Sequence, residues 1–179
     1  LLWSQDVTEL IIFPMFPHYA SASTGSAFEE VIKEVSKRQV IPSMTFIQDY
    51  YDQEDFLQVI IDHSSKFDLA AYDHILFSYH GLPQRQLVKA DDHQHCLQSD
   101  QCCQSLGLHN RHCYSAQSYA TTFALAKKLD LKPDRYTTCF QSRLGRDPWT
   151  QPYTSEVLKE RASKGDKNIL VFSPAFTAD

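Results

Sequence analysis

This chain of 179 residues lacks several sequence features, and their absence argues against some classes of function before any motif is considered. It has no excess of positive charge, because 17 Lys and Arg residues stand against 22 Asp and Glu residues and give a net charge of −5. No run of basic residues is longer than a pair such as Lys127-Lys128. These features argue against a nucleic-acid partner, because such proteins carry a basic surface. No apolar run approaches the roughly 18 residues of a membrane span, so no membrane crossing is predicted.

The sequence also lacks the glycine motifs of nucleotide-binding loops. It contains 5 glycines, and neither a G-x-G-x-x-G pattern nor a Walker ending occurs, so nucleotide binding has no motif support. Its start, Leu1-Leu2-Trp3-Ser4, is neither an initiator methionine nor a charged signal segment. Its end at Asp179 comes directly after a strand-like run. We therefore expect an internal fragment of a longer protein, with enough hydrophobic residues (42%) for one full domain or parts of two.

Short apolar runs alternate with helical patterns along the chain. Because runs bounded by Gly and Pro are typical of strands covered on both faces, five strands are predicted, at Glu9–Phe13, Ser43–Ile47, His74–Phe77, Tyr136–Phe140 and Asn168–Phe172. Four helical faces lie between them, marked by Phe28 to Val35, Phe56 to Phe67, Ala116 to Leu129, and Val157 with Leu158. The spacing of Ser26 and Glu29 predicts a capping box on the first helix, and Thr154 or Ser155 is the expected cap of the fourth. The pattern predicts an α/β fold built from parallel βαβ units.

The loop after the third strand, Phe77–Pro83, delivers His80 to the carboxyl end of a buried strand. Ligands of open α/β sheets bind at that edge. A histidine there is suited to accept a proton near neutral pH or to ligate a metal through its neutral ring. A loop histidine without a role is the alternative on the residue pattern alone.

Three further loops follow predicted strands. Pro17–Ser26 is rich in hydroxyl groups and leads into a helix N-terminus, which favours an anionic group unless Ser23 or Thr24 simply caps the helix. Gln141–Trp149 combines two arginines with a tryptophan, suited to a carboxylate and a flat apolar ligand unless it is an ordinary surface loop. The last loop contributes Phe176 and Asp179. Together the loops suit a flat, apolar, carboxylate-bearing ligand beside a metal or proton-transfer centre.

These four loops resemble the motifs of the ferrochelatase family, in the same order and spacing. The motifs are Pro17–Ser26, Phe77–Pro83, Gln141–Trp149 and Pro174–Asp179, and the wording around His80 and Trp149 is most similar to the protoporphyrin-type enzymes of Gram-negative bacteria. The resemblance covers nearly the whole chain except the segment around the cysteines. It implies a lyase of haem biosynthesis that inserts Fe²⁺ into protoporphyrin IX and forms protohaem.

The resemblance also implies two Rossmann-like, chelatase-type domains with parallel sheets flanked by helices and the macrocycle in a cleft between them. We expect the truncated first domain at residues 1–68 and the second at residues 69–179, with a Cys/His-rich insertion at 91–113. His80 and Asp179 match active-site residues, and His80 is also the expected contact of the ferrous substrate. Porphyrin contacts are expected from Tyr19, Ser23, Thr24, Gln141, Ser142, Trp149 and Phe176. An essential glutamate of the family falls beyond Asp179, so the fragment is expected to be inactive alone.

Four of the five cysteines lie in the segment between His93 and Cys113, which has weak periodicity and is predicted to be a loop. Cys96, Cys102, Cys103 and Cys113 are candidate ligands of a [2Fe–2S] cluster or a zinc ion, and some ferrochelatases carry such a cluster. Free thiols or a disulfide remain the alternatives, because the spacing lacks the usual paired Cys-x₂-Cys arrangement. Cys139 is predicted to be a small buried hydrophobe within a strand.

Two other functions remain open on the sequence. One is a chelatase of the same fold acting with cobalt or nickel, which would be expected to place extra metal-binding histidines at the site. The other is a non-catalytic α/β module built around the Cys/His segment. The resemblance implies a cytoplasmic location, with peripheral association with a membrane left open, and the oligomeric state is not predicted.

Overall fold

The structure, a computed structural model, describes residues 6–99 and 101–177. Its strands are β1 (Glu9–Ile12), β2 (Ser43–Phe46), β3 (His74–His80), β4 (Tyr136–Gln141) and β5 (Ile169–Phe172). Its α-helices are α1 (Ser26–Val35), α2 (Glu54–Ser64), α3 (Gln84–Lys89), α4 (Tyr114–Lys128) and α5 (Thr154–Ser163). A π-helical turn at Ser21–Gly25 and 3₁₀ turns at Leu69–Ala71 and Pro133–Arg135 complete the elements. The described residues thus contain all five predicted strands and all four predicted helices.

The strands form two separate parallel sheets, which confirms the α/β prediction. One sheet pairs β1 with β2, and the other has the order β4-β3-β5. Every strand pair is parallel, with Glu9 opposite Ser43 and His80 opposite Gln141. Helices flank the sheets because parallel neighbours need a crossover between them. The central strand β3 is buried from His74 to Tyr79, as expected for a strand covered on both faces.

The main hydrophobic core lies against the three-stranded sheet. Phe77 of β3 stacks on Phe172 of β5 with ring centroids 5.7 Å apart, and Leu125 of α4 is fully buried in the same core. Leu57 of α2 also belongs to it, and α2 packs against α4. Helix α2 therefore joins the core of the three-stranded sheet although it precedes that sheet in the chain. The division into domains at residues 68 and 69 stays a prediction.

The predicted capping box on α1 is wrong. Gly25 occupies the N-cap position, and no side chain caps the helix there, so neither Ser23 nor Thr24 performs that role. The Ser26 hydroxyl donates instead to the carbonyl oxygens of Ala22 (3.1 Å) and Ser23 (2.9 Å). The physical reason is that the π-helical turn already runs into α1, so the side chain bonds back along a continuous helix.

The predicted cap of α5 is wrong for a different reason. Tyr153 holds the N-cap position, and its side chain makes no capping hydrogen bond to the helix. The Thr154 hydroxyl is taken up by the sheet, where it lies 2.8 Å from the Ser78 hydroxyl and contacts the Cys139 sulfur at 3.3 Å. Cys139 itself is fully buried against Leu76, which confirms its predicted place in the core.

No helix in the described part of the chain is long and apolar enough to span a bilayer.

Candidate active site

His80 lies at the carboxyl end of β3, as predicted, with an exposed side chain. Its Nδ1 is 2.7 Å from the carbonyl oxygen of Gly81. Since a carbonyl oxygen only accepts, Nδ1 carries the proton, and in the neutral ring Nε2 keeps a free lone pair. The Tyr114 hydroxyl donates to the backbone oxygen of His80 (2.7 Å) and fixes the strand end from the side of α4. The site therefore presents an imidazole ring held in one orientation, with Nε2 left without a hydrogen-bond partner among the described residues.

Gly81 lets the His80 loop pack directly on the Trp149 loop. A Cβ atom at Gly81 would lie 2.8 Å from the Gln141 carbonyl oxygen and 3.2 Å from the Trp149 ring, so a larger residue would clash. The Gly81 N–H donates to that same carbonyl oxygen (2.8 Å), and the Thr150 N–H donates to the Leu82 oxygen (2.9 Å). The close approach and the hydrogen bonds hold the two loops in one arrangement.

The sequence did not predict helix α3, which continues this arrangement. It starts directly after Pro83, and its Gln84 N–H donates to the Pro148 oxygen at 2.9 Å. An ion pair joins Arg85 of α3 to Asp147. With only six residues, α3 is too short for a helical period to stand out in the sequence.

Two predicted aromatic residues flank the His80 ring. Its centroid lies 6.3 Å from that of Trp149 and 6.2 Å from that of Phe176. The indole Nε1 of Trp149 is buried and has no hydrogen-bond partner among the described residues. The structure thus brings three of the predicted site residues together, from the ends of three neighbouring strands, and gives the base two flat apolar neighbours.

A large cleft adjoins this group, with a volume of about 1340 Å³. Predicted residues Gln141, Ser142 and Phe176 line it on the side of the three-stranded sheet. The opposite wall comes from the segments after β1 and β2 and from α2, and includes Phe13, Met15, Ile47, Asp49, Tyr50, Phe56, Val59 and Ile60. The cleft has the largely apolar lining and the few polar groups typical of small-molecule sites.

Four predicted porphyrin contacts do not line that cleft, namely Trp149 beside His80 and Tyr19, Ser23 and Thr24 of the first loop. The Tyr19 ring packs against His112 with centroids 6.1 Å apart, and Tyr19 lines a smaller cavity of about 160 Å³ beside the cysteines. Thr24 is fully buried, and its hydroxyl has no hydrogen-bond partner within the described ranges. The Ser23 hydroxyl donates to the Ala20 oxygen at 3.5 Å. The loop of residues 17–26 therefore contributes none of these three side chains to the cleft that Phe176 lines.

The described part of the insertion, residues 91–99 and 101–113, contains turns but no helix or strand, in agreement with the predicted loop. The four cysteines are free thiols that form a chain of contacts. Cys102 and Cys103 have sulfur atoms 3.4 Å apart, and Cys113 is hydrogen-bonded to both Cys96 and Cys103. The bond with Cys113 lowers the pKa of Cys96, whereas the bond with Cys113 and burial raise the pKa of Cys103. Within the described residues, no three His, Cys, Asp or Glu side chains are placed to hold one metal ion.

Asp179 lies outside the described residues, so its role stays a prediction. The sequence reasoning missed two residues, Asp49 on the cleft wall and Gln117 buried behind it. Asp49 lines the cleft just after β2, and burial raises the pKa of its carboxyl. Gln117 of α4 is fully buried and donates to Asp49 at 2.9 Å. The strand-end criterion that selected the other loops would have found Asp49 after β2, whereas nothing in the helical pattern distinguished Gln117.

Known proteins resemble this chain over nearly its whole length. A protein-family model described as Ferrochelatase matches residues 2–179. The chain is 42% identical over 175 residues to the ferrochelatase of Legionella pneumophila strain Philadelphia 1, covering 98% of this chain and 52% of that protein. It is 40% identical over 177 residues to that of Opitutus terrae (98% and 51%) and 35% identical over 179 residues to that of Ectopseudomonas mendocina (99% and 53%). The chain spans about half the length of these relatives. A match over almost all of its residues establishes that this chain belongs to the ferrochelatase family.

Proposed function

We propose that this chain is part of a lyase that inserts Fe²⁺ into protoporphyrin IX and forms protohaem in haem biosynthesis. The observation that carries the proposal is the oriented His80 ring between Trp149 and Phe176, the last of which also lines a cleft large enough for a macrocycle. Its relatives in three bacterial genera carry the name ferrochelatase. The ferrous ion is a substrate here, not a resident cofactor.

In this reaction Fe²⁺ enters the ring and two pyrrole protons leave. His80 accepts one of these protons at Nε2, since its Nδ1–H is already donated to the Gly81 oxygen. The flat faces of Trp149 and Phe176 hold the macrocycle beside that nitrogen. Gln141 and Ser142 on the cleft wall contact the porphyrin in this proposal, whereas the contacts of Tyr19, Ser23 and Thr24 stay predictions of the family resemblance, because these residues do not line the cleft. Asp179 is the acidic partner next to the site.

The test replaces His80 with Ala in the complete protein that contains this chain. Formation of metalloporphyrin, followed by absorption, should be lost, whereas porphyrin binding measured by fluorescence should remain. His109→Ala is the matched control, because His109 is an exposed histidine of the Cys/His segment. Near-normal turnover in the His80 variant would contradict the assignment of the base.

Although His63 lines the cleft, the described ring contacts of His80 are with Trp149 and Phe176 and with no second histidine, which favours ferrous iron over cobalt or nickel as the metal. A chelatase for those metals would be expected to place extra histidines there. Measuring insertion of Fe²⁺, Co²⁺ and Ni²⁺ at equal concentrations tests this preference. A protein that prefers cobalt or nickel would contradict it.

We also propose that Cys96, Cys102, Cys103 and Cys113 hold a [2Fe–2S] cluster. The sulfur contacts bring the four thiols of this segment close together in space, and thiolates are the ligands that such clusters use. Because the cluster takes two thiolates at each of two irons, its ligands do not converge on one metal ion. That requirement agrees with pairwise sulfur contacts and disfavours a single zinc site. When bound, the cluster supplies one-electron redox chemistry.

The cluster is tested by absorption and electron paramagnetic resonance of the complete protein purified without oxygen. Cys113→Ser should abolish the iron–sulfur signals, because Cys113 contacts both Cys96 and Cys103. Cys139→Ala should leave them unchanged, because that thiol is buried in β4 away from the other four. Iron-free protein with four free thiols would contradict the proposal.

For the location we propose a cytoplasmic protein that touches a membrane surface through apolar side chains near the cleft. Phe13, Met15 and Phe16 are each about half exposed, at 51%, 52% and 44%. Co-sedimentation with lipid vesicles should fall when Phe16 is replaced by Ser. Equal sedimentation of both proteins would contradict the surface contact.

A further inference from the structure

A single buried amide joins three segments around the cleft. Gln117, in the first turn of α4, is fully buried. Its Oε1 accepts from the Tyr19 N–H at 2.7 Å, and its Nε2 donates to the Asp49 carboxylate at 2.9 Å and to the Arg111 carbonyl oxygen at 2.8 Å. Both amide hydrogens and the amide oxygen are therefore used. The three partners lie after β1, after β2 and at the end of the Cys/His segment.

The next turn of the same helix face repeats this pattern. Thr121 is fully buried, and its hydroxyl donates to the Tyr51 carbonyl oxygen at 2.7 Å. The Thr121 hydroxyl oxygen also lies 2.9 Å from Nε2 of the buried His18. Because residues four apart share a helix face, Gln117 and Thr121 form one polar seam on α4. The seam fixes the two loops that follow β1 and β2 against the helix.

Thr121 hydrogen-bonds to a backbone carbonyl and to a buried histidine, whereas Gln117 hydrogen-bonds to a charged group that lines the cleft. Asp49 is half-buried on the cleft wall. Burial raises the pKa of its carboxyl, and the hydrogen bond from the Gln117 amide opposes this by favouring the ionised form. Without the donor, the carboxylate would lose its fixed orientation. A ferrous substrate is a cation, so a carboxylate fixed on the wall attracts it, whereas the uncharged porphyrin core gains little from that charge.

We propose that Gln117 is a positioning residue that holds the Asp49 carboxylate on the cleft wall as a contact for the entering ferrous ion. The inference rests on the proposed iron insertion and deepens it by assigning the cation side of the site. Gln117 itself does not touch the substrate. Its role is to orient the Asp49 carboxylate and the backbone of Tyr19 together.

The experiment measures KM for Fe²⁺, kcat and porphyrin affinity separately in the complete protein. Asp49→Asn removes the charge but keeps an oxygen that accepts from Gln117, so KM for Fe²⁺ should rise about tenfold, the effect of one charge-assisted interaction. Porphyrin affinity should stay unchanged. Gln117→Met, which keeps the side-chain length, should raise KM for Fe²⁺ in the same direction. In the Asp49→Asn background, Gln117→Met should raise it no further.

Ser118→Ala is the matched control, because Ser118 is buried on the same helix and donates only to the Tyr114 oxygen of the preceding turn. It should leave KM for Fe²⁺ unchanged. If Gln117→Met fails to fold, Asp49→Asn decides alone. An active wild-type protein whose KM for Fe²⁺ is unaffected by Asp49→Asn overturns this inference, whereas a wild-type protein that inserts no iron overturns the proposed function instead.

Discussion

The two sheets of this chain are parallel and similarly connected, yet different forces hold them. In β3, at the centre of the larger sheet, Ile75, Leu76 and Phe77 are fully buried. In β1, side chains alternate between exposed and half-buried, and Ile11 is 67% exposed. The loops after β1 and β2 are held against the rest of the described chain by the polar seam of Gln117 and Thr121 and by the ring of His18, which packs on Tyr79 and Tyr114. The comparison indicates that apolar burial dominates in the larger sheet, whereas the smaller one relies on hydrogen bonds and ring contacts of its loops.

The largest effect is expected on the rate of iron insertion, which needs both sheets. The isolated chain should show no iron insertion, whereas the complete protein should be active. The chain has about half the length of its relatives, and correct placement of reacting groups alone contributes several kcal/mol to a barrier. A continuous absorption assay for metalloporphyrin, run on both proteins, checks this. Comparable rates would show that this half holds every residue that the reaction needs.

Shortening a core side chain of β3 tests directly whether the larger sheet contributes more to stability than the smaller one. Phe77→Ala should lower the free energy of unfolding by about 3–5 kcal/mol, because the cavity between β3 and β5 cannot close. Ile11→Ala is the control on the smaller sheet and should change it by less than about 0.5 kcal/mol. Urea unfolding followed by circular dichroism measures both. Equal losses would show that β1 carries as much of the core energy as β3.

The seam should make stability depend on pH through His18, whose pKa is lowered by complete burial from 6.5 to about 3. Between these values the unfolded chain binds a proton that the folded chain does not, so stability falls as pH falls below 6.5. We expect about 3 kcal/mol less contribution from His18 at pH 4 than at pH 7. His18→Phe should flatten this dependence. Parallel pH profiles of the two proteins, measured by urea unfolding, would contradict the prediction.

The smallest effect is expected at the rim of the larger sheet. Trp149→Ala should weaken porphyrin binding by about 1–3 kcal/mol through the loss of apolar contact. Leu144→Ala is the control from the same loop, because Leu144 is 79% exposed and should leave binding unchanged. Fluorescence titration of the complete protein compares them. Unchanged binding in the Trp149 variant would indicate that Trp149 packs against the Gly81 loop and does not contact the porphyrin.

Much of this site could be predicted because strand ends of a parallel sheet share an edge. His80, Trp149 and Phe176 follow three different strands, and the sequence rule that groups strand-end loops placed them together correctly. The cap predictions, which came from residue spacing, failed because the Ser26 and Thr154 hydroxyls bond to other partners in the folded chain. Local spacing cannot report such competition.

The sequence by itself determined the alternation of strands and helices, the parallel pairing and the identity of the strand-end loops. These follow from local apolar periodicity and from the crossover that parallel strands require. Only the tertiary structure decided that Tyr19 faces the cysteine segment, that α2 joins the core of the larger sheet, and that Gln117 reaches Asp49. Gln117 and Asp49 are 68 residues apart, and a hydrogen bond over that separation depends on how whole elements pack, which no local pattern records.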